Sequence, residues 1–183
     1  MYSLVLRNVY YGYRRGSYPD VTALAPIPGR FIANQELSSD PLHPYQILID
    51  DFGTVAQTLI SHNAGASWQR IMVSQDSITY PVCKGTCTNP ADCYLHLHGQ
   101  SSWVQGVYGR PAVYTSASAP GIVMASGNLG PEKEGLASDK DKLCTWISTD
   151  GGITWRDVID DMYIYEYFNH GNGIVMAKFR CAG

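Results

Sequence analysis

Two eight-residue stretches, Ser61-His-Asn63-Ala-Gly65-Ala-Ser67-Trp68 and Ser148-Thr-Asp150-Gly-Gly152-Ile-Thr154-Trp155, obey one pattern, Ser-x-Asp/Asn-x-Gly-x-Ser/Thr-Trp. At average residue usage a match arises on the order of once in a million positions, so two in one chain mark a repeated structural unit. The chemistry is that of a pinned hairpin. The side-chain oxygen of Asn63 or Asp150 can accept backbone N–H bonds from the residues after it, as in an Asx-turn, and Gly65 or Gly152 supplies the left-handed backbone angle the turn needs. Ser67 or Thr154 adds a local hydrogen bond, and the ring of Trp68 or Trp155 covers the hairpin base. Asp150 therefore reads as a structural residue rather than a catalytic acid or metal ligand. Its oxygens are engaged by its own turn, and no second carboxylate recurs beside it in the other copy.

This pattern is similar to the Asp-box, or bacterial neuraminidase repeat, and resembles the outer-strand hairpin of β-propeller blades. Trp68 and Trp155 lie 87 residues apart. At roughly 40 to 45 residues per propeller blade that spacing predicts one further blade, without a box, between them. Thirteen Tyr, 18 Gly and 10 Pro, with short apolar runs between turn residues, favour strands over helices. Strands are expected at residues 3–9, 31–33, 46–50, 55–61, 67–73, 94–98, 122–126, 144–148, 154–158, 164–168 and 174–179. Residues 94–98 alternate apolar and polar as a half-buried strand does. Residues 10–19 read as a turn, and 101–119 and 130–142 as long surface connections.

The formal net charge is -3 and no basic run exceeds the pair Arg14 and Arg15, which removes nucleic acid and anionic lipid as partners. No apolar stretch approaches the roughly 20 residues that span a bilayer, and residues 1–15 lack the apolar core of a signal peptide. Three of the five cysteines, Cys83, Cys87 and Cys93, share a short window. Such clustering fits a disulfide loop in an oxidising compartment or a metal knot in a reducing one. Cys83, Cys87, Cys93, His96 and His98 would supply soft ligands to zinc, with both histidines on one face of a strand. Their spacing is irregular for the common structural zinc patterns, and both histidines read more simply as strand residues.

The order of features points further. Ser3-Leu-x-Leu-Arg-Asn-Val9, Ala33-Asn34 and the first box are followed by Cys93-Tyr-Leu-His-Leu-His-Gly99 and Ala119-Pro-Gly-Ile-Val-Met-Ala-Ser-Gly-Asn-Leu-Gly130. After the second box, a Tyr-rich strand leads to Gly171-Asn-Gly-Ile-Val-Met-Ala177. Over nearly the whole chain this succession resembles the propeller of the sortilin and vacuolar-protein-sorting-ten receptors.

The resemblance implies an all-β fold in which residues 1–183 are one partial propeller domain of about four blades, cut from a ten-bladed ring. It implies a sorting receptor that binds soluble protein or peptide cargo in the Golgi lumen and releases it in an endosome, on the way to a vacuole or lysosome. The rest of the same propeller and a membrane anchor would lie outside this segment. It implies no enzyme activity, cofactor or metal, and a disulfide at Cys93 with Cys83 as preferred partner and Cys87 as the alternative. Cys87, Cys144 and Cys181 match no family cysteine, and the resemblance assigns no cargo contact to a numbered residue.

Two other functions use the same boxes. A sialidase-like glycosidase needs paired carboxylates or a Tyr nucleophile, with arginines clamping an anionic sugar in the sialidase case. The eight arginines here are scattered in unlike contexts and no acidic pair recurs. A non-receptor propeller scaffold would show the boxes without the Leu-His-Leu-His and Gly-Ile-Val elements, and both are present.

Overall fold

A computed structural model describes residues 5–12, 18–25, 27–37, 56–85, 89, 91, 93–99, 113–117, 119–133 and 143–161, with the backbone of two further strands at 164–168 and 174–177. Its strands are β1 (Tyr11–Gly12), β2 (Tyr18–Pro19), β3 (Val21–Ala23), β4 (Phe31–Glu36), β5 (Ala56–Ser61), β6 (Gln69–Met72) and β7 (Tyr94–Leu97). They continue with β8 (Val113–Thr115), β9 (Val123–Gly130), β10 (Cys144–Ser148), β11 (Arg156–Ile159), β12 (Ile164–Phe168) and β13 (Ile174–Ala177). Its helical elements include two 3-10 turns, Gln75–Ser77 and Pro81–Lys84. The fold is all-β, as the repeat predicts, and no helix among the described residues is long and apolar enough to cross a membrane.

Strands β3 to β6 form an antiparallel meander, and β8 to β11 form a second with the same register. Val21 faces Ala33 and Phe31 faces Ser61 in the first; Val113 faces Ala125 and Val123 faces Ser148 in the second. The turn entering the second strand is also shared. The amide of Ala64 donates to Gly29 O at 2.7 Å and that of Gly151 to Gly121 O at 2.8 Å. Gly29 and Gly121 have φ of 75° and 91°, the left-handed region that glycine enters without strain.

The equivalence extends to the outer edge of β4 and β9. Strand β8 lies along the first half of β9 and β7 along its second half. In the first unit β3 and the bridge between Val9 and Gln35 divide β4 in the same way. The leading strand of each unit is thus in two pieces. Among the described residues the expected boxless blade between the boxes is absent, and in its place stands the single strand β7. Expected strand 46–50 lies outside the described residues. Strands β1 and β2 fell in the stretch read as a turn and β8 in one read as a surface connection, while β3 lies where no element was expected.

Strand β6 carries the sheet from one unit to the next. Its residues Gln69 and Arg70 pair with β5, and Ile71 and Met72 with β7. Where β6 turns away, the start of β5 faces β7 directly and side chains close the gap. The Thr58 amide donates to His96 Nδ1 at 3.1 Å, the Leu97 amide to Thr58 Oγ1 at 2.8 Å, and Asn34 Nδ2 to Leu97 O at 3.1 Å. Asn34 Nδ2 also donates to Asp20 Oδ2 at 2.8 Å. Each bond contributes about 1 kcal/mol net, and a buried amide left unpaired would cost more. Residues 94–98 are accordingly not half-buried: Leu95, His96, Leu97 and His98 are all enclosed. One apolar core, including Leu24, Ile60, Leu97, Trp146 and Trp155, runs through both units.

Candidate functional site

Both boxes sit at the hairpins that close their units, Ser61–Trp68 between β5 and β6 and Ser148–Trp155 between β10 and β11. Their bonding is nearly identical. The Gly65 amide donates to Ser61 Oγ at 2.9 Å and the Gly152 amide to Ser148 Oγ at 2.7 Å. The Ser67 amide donates to Asn63 Oδ1 at 2.9 Å and the Thr154 amide to Asp150 Oδ1 at 2.9 Å. The last side chain joins in, with Asn63 Nδ2 donating to Ser67 Oγ at 2.8 Å and Thr154 Oγ1 donating to Asp150 Oδ2 at 2.6 Å. Gly65 and Gly152 have φ of 83° and 92°, and the preceding residues, Ala64 and Gly151, are left-handed too. The pattern prescribes glycine only at the second of these positions.

Partial burial alone would raise the pKa of Asp150. Hydrogen bonds from Thr154, Ser148 and the Ile153 amide outweigh it and hold the carboxyl at about 2. A glycosidase acid needs the opposite, a carboxyl kept protonated near neutral pH. The oxygens of Asp150 are turned into its own hairpin, which is the geometry of a structural clasp.

The second box also docks on the first unit. Arg30, in the turn between β3 and β4, donates through Nη1 to Asp150 O at 2.5 Å and to Gly151 O at 2.8 Å. A Cβ on Gly152 would stand 2.6 Å from Ile60 Cδ1, and one on Gly151 would collide with Arg30 and Ile27. The two glycines therefore let the box backbone lie directly on the neighbouring unit. Arg30 was not distinguished in the sequence from the other arginines, because nothing local marks a partner 120 residues away.

The cysteine pairing differs from the expectation. Cys83 is bonded to Cys144, not to Cys93, across a sequence separation of 61 residues and a Cα–Cα distance of 5.8 Å. The fold explains the choice. The 3-10 turn Pro81–Lys84 packs on β9, which brings Cys83 to the first residue of β10. Asp157 on β11 secures this approach, its carboxylate accepting the amides of Thr79 at 2.7 Å and Tyr80 at 2.6 Å. Cys93 is itself disulfide-bonded; its partner lies outside the described residues, as do Cys87 and Cys181.

His96 does not face a cluster of ligands. Nδ1 accepts from Thr58 and Nε2 lies 3.1 Å from Gly130 O, a pairing that places the proton on Nε2. Burial lowers its pKa to about 4 against the raising effect of the Gly130 bond, and the charges of Lys133 and Arg70 add smaller lowering effects. With both nitrogens engaged and Cys83 in a disulfide, the soft-ligand set is divided among structural tasks. No group of three or more candidate ligands gathers among the described residues.

The family model Sortilin-Vps10, described as sortilin, neurotensin receptor 3, matches residues 1–181. The human VPS10 domain-containing receptor SorCS2 is 30% identical over 159 residues, covering 87% of this chain and 12% of that protein. The vacuolar protein sorting/targeting protein 10 of Candida albicans is 34% identical over 125 residues, covering 67% of this chain and 7% of that protein. Its namesake in Emericella nidulans is 30% identical over 166 residues, covering 88% and 11%. The chain thus spans a small part of the length of the relatives it matches. Its two boxed meanders are part of a β-propeller, and the chain belongs to the sortilin-Vps10 family.

Proposed function

We propose that residues 1–183 form one partial propeller domain in the luminal, cargo-binding part of a membrane-anchored sorting receptor. It moves soluble proteins from the Golgi toward an endosome and a vacuole or lysosome. The observation that carries this reading is family membership over nearly the whole chain, and relatives named for vacuolar sorting and targeting support the route. The domain is non-catalytic. The acid a glycosidase would need is in Asp150 a hydrogen-bonded carboxylate fixed in its own turn, so the boxes build a surface rather than a reaction centre. The disulfide between Cys83 and Cys144 suits an oxidising lumen.

The test is direct binding. The luminal portion carrying this segment is immobilised and exposed to purified soluble precursors of vacuolar or lysosomal hydrolases, at neutral and at acidic pH. Saturable binding at neutral pH with release on acidification is expected. No binding across a panel of such precursors would contradict the cargo-binding role.

A further inference from the structure

Among the described residues the second box is covered by another unit and the first is not. Gly151 and Gly152 lie buried under Ile27, Arg30, Leu24 and Ile60 of the preceding unit. At the equivalent places in the first box Ala64 is exposed, and Gly65, although buried, is not pressed by another unit: among the described residues a Cβ on it would meet only the ring of its own Trp68, at 3.8 Å. Trp155 is buried and donates from Nε1 to Gly152 O at 3.0 Å. Trp68 is half-buried, and its Nε1 is enclosed without a partner among the described residues. The two turns share their φ angles and the hydrogen bonds of their Ser, Asn or Asp, and Ser or Thr side chains, and they differ in the cover and in the indole bond of Trp155.

We propose that the backbone of the first box, at Asn63, Ala64 and Gly65, is a docking surface for a further Asp-box unit of the same propeller. That unit presents the turn between its first two strands, with aliphatic side chains at the places of Leu24 and Ile27 and a hydrogen-bond donor at the place of Arg30. The occupant's chemistry is read from the covered box. The carbonyls of Asn63 and Ala64 are the counterparts of the two that Arg30 bonds, and the place beside Gly65, where an added Cβ would meet only Trp68, is the counterpart of the one that Ile60 and Leu24 fill. A second copy of this chain fits poorly. Its Arg30 turn is occupied by its own second box, and its other such turn has Ile122 at the place of Arg30, with no side-chain donor.

This inference rests on the reading that the segment belongs to a larger propeller, and its test is separable from the cargo experiment. Hydroxyl-radical footprinting of the longer luminal polypeptide compares Trp68 with Trp155 in the same molecule. Docking predicts that Trp68 is protected to the level of Trp155, whereas Trp68 oxidised severalfold faster would overturn the proposal. A photo-crosslinking residue at Ala64 identifies the occupant, with Ala66 as control because its counterpart, Ile153, is 57% exposed. Crosslinks from Ala64, and not from Ala66, to the first turn of another Asp-box unit are expected. No crosslink from Ala64, or crosslinks to a second copy or to a segment without a box, would overturn it. Intact crosslinks in a protein that binds no cargo would leave the docking standing and remove the receptor reading.

Discussion

The amide of Thr58 donates to Nδ1 of His96 across 38 residues of chain, at 3.1 Å, in the gap where β6 turns from one unit to the next. This bond requires an imidazole that is neutral at Nδ1. The pKa of His96 is lowered from 6.5 to about 4, so the unfolded chain takes up its proton first as pH falls. The bond's contribution is therefore complete above about pH 6.5 and is lost as pH falls toward 4, up to about 3 kcal/mol. The charged groups acting on the ring, Lys133 and Arg70, add to the cost of a second positive charge. His96→Gln, which keeps an acceptor and a donor, should flatten the dependence of stability on pH across that window. Denaturant melts of both proteins from pH 7.5 to 4.5 check this, and equal slopes would contradict it.

The disulfide between Cys83 and Cys144 closes a loop of 61 residues, so Cys144→Ser should cost about 4 kcal/mol by freeing the unfolded chain. Peptide mapping without reduction should recover Cys83 joined to Cys144, and Cys93 joined to its alternative partner, Cys87. A peptide joining Cys83 to Cys93 would contradict the pairing.

Asn63 and Asp150 do the same work with different charge. Asp150→Asn should therefore cost less than 1 kcal/mol, since the amide in the first box already holds its turn, whereas Asp150→Ala should cost about 1 to 2 kcal/mol through lost turn bonds. Trp155→Ala should cost about 3 to 5 kcal/mol through the cavity it leaves. Equilibrium unfolding ranks the three, and an Asp150→Asn loss as large as that of Asp150→Ala would show that charge rather than geometry holds the box.

Gly65 and Gly152 share a left-handed backbone, so substituting alanine strains both turns by about 1 kcal/mol. Only Gly152 is pressed against Ile60. In the isolated 183-residue chain Gly152→Ala should be the more damaging by a further 1 to 3 kcal/mol or so, the usual range for an overpacked core. Equal losses on unfolding would mean that the second box does not dock on the first unit.

The boxes were legible in the sequence because their chemistry is local: within each, the interacting residues lie at most four positions apart. Strands β5, β9, β10 and β12 were legible for the same reason, as apolar runs between turn residues. What escaped notice acts over distance. Arg30 reaches 120 residues to the second box, Asp157 reaches 78 to Thr79, and Cys83 finds Cys144 rather than its near neighbour. Each pairing follows from which strand lies beside which, and of the split leading strands that set this order only β7 is long enough to leave a periodic signal. Asn34 and the Leu-His-Leu-His run were recognisable as family features, but their joint role in closing the gap between β5 and β7 shows only in three dimensions.

The central claim is that this domain belongs to a receptor that sorts soluble cargo. It is tested most directly by removing the receptor from its own cells and measuring the fraction of soluble vacuolar or lysosomal hydrolases that is secreted. Raised secretion, restored to normal by the intact gene and not by one lacking residues 1–183, is the predicted result. Hydrolase retention unchanged by the loss of the gene would contradict the account.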